Sequence, residues 1–187
     1  MKRGKIMKRI KKSLILLLSS LLIFTLYACS NTQSNSNTVT NENTQSTITS
    51  IEQLTNTDNF RNGALEHILE GEVNKRGKAV GYHYEGLENT PGEVIEGTRS
   101  TPNEDGVYTA KVEVDGIAKT SNGGKSSFFP ESWSAQDVVD NINEAYDNKI
   151  FIEGTDNTYR GECDEGVEIE MYIDNNSGKI ISAFPIY

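Results

Sequence analysis

Eighteen of the 21 residues from Ser30 to Ser50 are Ser, Thr, Asn or Gln; Val39, Glu42 and Ile48 are the exceptions. Such a stretch has too little apolar surface to offset the entropy lost on folding, so it is expected to be a disordered tether. It divides the 187 residues into a short N-terminal segment and about 130 residues that must hold any core. That length suits one compact domain, and no internal repeat is visible in it.

The N-terminal segment reads as a secretory leader. Residues 2–12 carry seven basic side chains, and an apolar run follows from Leu14 to Tyr27. That run is short for a membrane-spanning helix, which needs about 20 apolar residues. It ends in Leu26-Tyr27-Ala28-Cys29, which resembles the lipobox of bacterial lipoproteins. The resemblance implies cleavage before Cys29, a lipid on its thiol and an extracytoplasmic protein held on the cell membrane. The expected organisation is a signal peptide over 1–28, lipidated Cys29 with its tether over 29–56, and a folded domain over 57–187.

Cleavage would remove seven positive charges and no negative ones. The remainder carries 11 Lys and Arg against 27 Asp and Glu, a net charge of −16. A chain that acidic opposes nonspecific binding of polyanions. A nucleic-acid ligand would need a local basic cluster, and Asn74-Lys75-Arg76-Gly77-Lys78 is the best candidate. With Cys29 lipidated, Cys163 has no partner for an internal disulfide and reads as a small buried filler.

Periodicity gives a coarse map. A first helix is expected from Asp58, as N-cap, to Glu70, with Gly71 as its stop. Phe60, Ala64, Leu65, Ile68 and Leu69 form its apolar arc, with His67 at the border. Residues 79–84 look extended, and 87–105 read as a long loop. From Val107 to Asp115, Tyr108, Ala110, Val112 and Val114 face one way while Thr109, Lys111 and Glu113 face the other, a half-buried strand. The clearest helix runs from Ser134 to Asn148, with Ser134 and Asp137 as a capping box. Residues 167–174 and 179–186 read as a hairpin across Asp174-Asn175-Asn176-Ser177-Gly178. Grouped strands with segregated helices indicate an α+β fold: an N-terminal helix and a second helix packed on antiparallel sheets.

The chain has only two histidines, His67 and His83, 16 positions apart. Two imidazoles are the minimum set for acid–base cleavage of RNA. One takes the proton of the ribose 2′-OH and the other protonates the leaving 5′-oxygen. A further polar centre lies in Gly123-Gly124-Lys125-Ser126-Ser127-Phe128-Phe129-Pro130. There a glycine turn presents a lysine and two hydroxyls, and an ammonium can stabilise the charge that builds on phosphorus.

The order of these segments resembles the bacterial EndoU endoribonucleases. A helix carrying His67 ends in Glu-Gly, and a Gly-aromatic-His strand follows. Then come Lys-Ser-Ser-Phe-Phe-Pro-x-x-Trp, the capped helix and a closing Gly-Lys-Ile-Ile-Ser-Ala-Phe-Pro strand. The resemblance covers residues 58–187 and implies an EndoU or RNase A-like fold. It makes His67 the general acid and His83 the general base. The catalytic lysine matches Lys125 best, with Lys119 as the alternative. The family's usual Thr-Ala-Tyr-Pro reads here Ser182-Ala183-Phe184-Pro185. That keeps a hydroxyl and a stacking ring but loses the phenol, for which Tyr172 or Tyr187 could substitute. Ser182, Phe184 and Ser127 are the expected substrate-binding residues.

The implied activity is metal-independent cleavage of single-stranded RNA at uridines, leaving a 2′,3′-cyclic phosphate. No cofactor is expected, with stimulation by manganese left to experiment. The implied partners are RNA, a membrane reached through Cys29 and, if the chain is a toxin, an immunity protein; the domain is expected to be a monomer. The competing reading is a surface lipoprotein of the same fold that binds RNA or another ligand without turnover.

Overall fold

The computed structural model describes residues 50–187. The expected signal peptide, Cys29 and most of the expected tether lie outside the described residues. Residues 50–56, expected in the tether, touch the domain at a few points. Leu54 is buried, Thr55 hydrogen-bonds Gln136 and Asn56 hydrogen-bonds Asp140.

The fold is α+β, with every strand pair antiparallel. Strands β1 (Glu72–Val73) and β2 (Ala79–Val80) form a short ribbon. Strand β4 (Tyr108–Val114) is the spine of a second sheet. Its C-terminal half pairs with β3 (Gly92–Val94) and β5 (Ile117–Ala118), and its N-terminal half pairs with β6 (Lys125–Phe128). After helix α1 (Ala135–Asp147) come β7 (Ile150–Phe151), β8 (Thr158–Glu162), β9 (Glu168–Ile173) and β10 (Ile180–Pro185). These four make a sheet in the spatial order β10-β9-β8-β7.

Helix α1 follows its sequence signals. Ser134 N–H donates to Asp137 at 2.8 Å, and Asp137 N–H donates to Ser134 Oγ at 3.2 Å. The reciprocal pair satisfies end groups that would otherwise lack partners. The buried stripe of Ala135, Val138, Val139, Ile142 and Ala145 packs into the main core. Met171, Ile169, Val167 and buried Cys163 meet it from the β7–β10 side. A smaller cluster of Tyr82, Tyr108, Ala110, Val112 and Phe128 fills the β4 sheet.

The first helix is much shorter than expected. Asp58 does not cap it, because the backbone at 59–61 is committed to β10. Phe60 bridges Ile180, Arg61 N–H donates to Ile180 O, and Ile180 N–H donates to Asn59 O. What remains is one π-helical turn, Glu66–Glu70, closed by Gly71 N–H on Glu66 O at 2.9 Å. The expected 87–105 loop likewise contains β3, whose Gly92 and Val94 pair with Val114 and Val112.

A bulge decides which way β10 faces. Ile180 pairs with Ile173 and Ser182 with Tyr172, so Ile181 is an extra residue on this strand. An inserted residue reverses the alternation of side chains. Ile180 and Ala183 therefore both reach the main core, while Ser182 and Phe184 line the cleft beside β6.

Candidate active site

The wide π-turn sets the distance between the two histidines. Gly71 N–H bonds to Glu66 O, one residue further back than an α-helix would use, which leaves the His67 and Ile68 carbonyls free. They accept from Tyr82 N–H at 3.0 Å and His83 N–H at 2.7 Å. Gly81 makes this approach possible. Its φ is 73°, and a Cβ there would lie 1.9 Å from the His67 carbonyl oxygen. Tyr82 follows with φ 63°, a region a bulky residue enters only when its surroundings hold it there. Its amide bond to His67 O and its ring edge-on to Phe128 at 5.4 Å supply the constraint.

His67, His83, Lys119, Ser182 and Phe184 line one cleft of about 430 Å³, together with Gly81, Ser126, Ser127 and Tyr172. The two imidazoles stand in opposite surroundings. His67 is partly exposed, and its Nδ1–H donates to Glu72 Oε1 at 3.0 Å. The Glu72 carboxylate is thus placed to offset positive charge on that ring. His83 is buried, and its Nδ1–H donates to the Ser127 carbonyl at 2.7 Å. Burial pushes the His83 pKa down to about 3, the nearby Lys119 charge adds to the shift, and the Ser127 carbonyl opposes it. His83 is therefore neutral near pH 7, with its proton on Nδ1 and a lone pair on Nε2.

Lys119 is the cation of the cleft. Its Nζ donates to Ser126 Oγ at 2.7 Å and to Gly81 O at 3.2 Å, and Ser126 Oγ donates to the same Gly81 carbonyl at 2.9 Å. Among the described residues no carboxylate pairs with it. Burial lowers its pKa to about 8, so it is largely protonated at neutral pH. An ammonium has three donors, and two are used. The third, with uncompensated charge, is available to an anion in the cleft.

Lys125 lies elsewhere. It is exposed on β6 and lines an adjoining depression with Thr109 and Tyr187. Ser127 serves His83 through its main-chain carbonyl and also borders the cleft. Ser182 is buried at the cleft wall. Phe184 lies flat against His83, with ring centroids 5.2 Å apart and planes at 22°. Tyr172 packs edge-on to Phe184 at 5.8 Å and presents the remaining phenol of the cleft. The basic Lys75-Arg76-Gly77-Lys78 stretch forms the exposed turn between β1 and β2, and β2 leads directly into Gly81.

Sequence reasoning missed Glu72 and Ser126 as supports. Glu72 meets His67 only because the π-turn and Gly71 fold the chain back over five positions. Ser126 is one hydroxyl among several in its segment, and nothing local marks it as the buried one.

The bacterial EndoU nuclease family matches residues 61–187. The chain belongs to that family. A Bacillus cereus protein named Toxin is 58% identical to it over 135 residues, which is 72% of this chain and 24% of that protein. The EndoU chain thus spans about a quarter of that relative's length. No solved structure matches it.

Proposed function

We propose that this EndoU chain is an endoribonuclease that cleaves single-stranded RNA at uridines by transesterification. His83 Nε2 takes the proton of the ribose 2′-OH, and the 2′-oxygen attacks phosphorus. Lys119, rather than Lys125, stabilises the charge on the phosphorane. His67 protonates the departing 5′-oxygen while Glu72 holds its ring. The products are a 2′,3′-cyclic phosphate and a 5′-hydroxyl, and DNA is inert because it lacks the nucleophile. Every step is carried by side chains, and manganese is a condition to test. Ser182 meets the edge of the uracil, and Phe184 with Tyr172 forms the wall beside it.

The observation that carries this reading is the asymmetry of one cleft: a buried neutral imidazole, a carboxylate-paired imidazole, and an ammonium between walls with no acid of its own. Opposed environments for two titratable groups are how acid and base roles are divided. The lipobox-like Cys29 supports an extracytoplasmic, membrane-anchored protein. The relative named Toxin supports a role against other cells, which would require an immunity protein as partner.

A second reading, a ligand-binding lipoprotein without turnover, is favoured by Phe184. Its ring covers the His83 face on which a base could otherwise stack. One experiment separates the two. The purified full chain is given a labelled RNA containing a single uridine, and separately its 2′-deoxyuridine counterpart, with and without manganese. Cleavage of the first substrate alone, abolished by His67→Ala and by His83→Ala, is expected. Binding of both strands with neither cut would replace the enzyme reading by the binding one.

A further inference from the structure

The arginines distant from the cleft are matched to acids: Arg61 to Asp174, Arg99 to Glu85 and Glu131, and Arg160 to Glu168 and Glu170. Lys111 and Lys125 are not. They are direct cross-strand partners in the β4–β6 pair, so their side chains leave the same face of the sheet, and both are exposed. Like charges directly opposed weaken an antiparallel pair. Among the described residues neither ammonium makes an ion pair. An anion bound between them would remove that repulsion.

The space beside Lys125 has the shape for one. A depression of about 340 Å³ is lined by Thr109, Lys125, Pro185 and Tyr187, and it shares Asn122, Ser126, Ser127 and Phe184 with the cleft. A strand leaving the cleft over Phe184 enters it directly. The Tyr187 hydroxyl donates to Thr101 O at 3.1 Å, which tethers the tip of a ring that is still 57% exposed. Lys125 lines the depression and Lys111 stands across the strand pair from it, outside the lining. An anchored aromatic beside an unpaired cation is a combination that binds single-stranded nucleotides, by stacking and by phosphate contact. His67, which would serve the 3′ leaving group, lines the cleft but not this depression.

We infer that the depression is a second nucleotide subsite, for the residue on the 5′ side of the one cleaved. Its base stacks on Tyr187, and the phosphodiester joining it to the cleaved nucleotide lies at Lys125 and Lys111. This assignment rests on the endoribonuclease reading for its direction and on the β4–β6 geometry for its existence.

The test uses the full chain and three short RNAs: a uridine dinucleotide, the same extended by one nucleotide on its 5′ side, and the same extended on its 3′ side. Each is paired with an uncleavable 2′-deoxyuridine form for binding. The 5′ extension should raise kcat/KM and tighten binding of the uncleavable form by about tenfold, the scale of one stacked base. Tyr187→Ala and Lys125→Gln should each remove most of that gain. Lys125→Gln should also lower the slope of log affinity against log salt by about 0.7, one phosphate contact on a single strand. Because it relieves repulsion from Lys111, Lys125→Gln should not lower the Tm, which separates a lost contact from unfolding.

A 5′ gain that survives both substitutions overturns the subsite, as does a gain seen only on 3′ extension. A chain that cuts the dinucleotide without any 5′ gain loses the subsite and keeps the nuclease. One that binds the 5′-extended deoxy form more tightly but cuts nothing keeps the subsite and loses the nuclease. Neither binding nor cleavage removes both.

Discussion

Lys119 and Lys125 differ by six positions, yet only one of them is desolvated. Lys119 sits against Ser126 Oγ and the Gly81 carbonyl, while Lys125 reaches solvent from β6. Charge held in a water-poor site acts on a developing oxyanion far more strongly than charge at a surface. Lys119→Ala should therefore lower kcat on RNA by about 100-fold or more, the usual effect of removing one such donor. A Lys119→Ala enzyme as active as the parent would move the cation role elsewhere. Direct titration offers a second check. Burial favours the uncharged amine, so Lys119 should acylate with an apparent pKa of about 8, where an ordinary lysine shows about 10.4. His83 also links the site to stability. Its pKa falls from the ordinary 6.5 to about 3 in the fold, so the unfolded chain binds the proton more readily. The stabilisation is complete above pH 6.5 and is lost as pH falls from there toward about 3. Denaturant melts over pH 4–7 should show stability declining on acidification, with a weaker decline in His83→Gln.

At the level of elements, the π-turn, Gly81 and Tyr82 form one device that ties both histidines to a shared backbone seam. Gly81→Ala places a methyl group onto the His67 carbonyl at 1.9 Å. Overpacking of that kind costs about 1–3 kcal/mol, and here relief must come from separating the two histidine segments. The expected outcome is a reduced Tm and loss of cleavage together. A Gly81→Ala chain with parental kcat/KM would show that the seam is not what aligns the pair. Little of this device was legible in the sequence. The His67 arc is helical in pattern, but Asn59–Arg61 pairs with β10, a contact made across the whole domain. Helix α1, strand β4 and the β9–β10 hairpin were legible because cap, alternation and turn all sit within each segment. Strand β8 was not. Its buried positions are Thr158 and Gly161, neither of them apolar; at Gly161 a Cβ would meet the Ala145 carbonyl at 1.9 Å, so close approach of the helix excludes the apolar side chain that would have marked the strand. The candidate site followed the same division. The histidines, Ser182 and Phe184 were readable as types in order, whereas the placement of Lys119 rather than Lys125 in their cleft needed the β5–β6 connection in three dimensions.

For the whole molecule the decisive quantity is charge. Residues 29–187 carry a net charge of −16, which repels RNA at long range, so RNA binding would have to come from a few placed cations. Beyond Lys119, Lys111 and Lys125, the exposed basic turn of Lys75, Arg76 and Lys78 leads into β2, whose Val80 lines the cleft, and none of its three side chains makes an ion pair among the described residues. It follows the β1 strand from His67, so under the proposed reading it would meet the 3′ side of the strand, with Lys111 of β4 and Lys125 of β6 on the 5′ side. Six contacts at about 0.7 each would give a log–log salt slope near −4 for single-stranded RNA. The triple substitution of Lys75, Arg76 and Lys78 to Gln should reduce that slope by about 2 while leaving the preference for a 5′ extension intact. The measurement is the affinity for an uncleavable deoxyuridine-containing strand across a salt series. If the slope is unchanged in the triple variant, the turn is a solvated loop and the 3′ strand takes another path. If the parental slope is near zero, acidic repulsion outweighs these cations, and a soluble RNA strand is the wrong substrate for this surface.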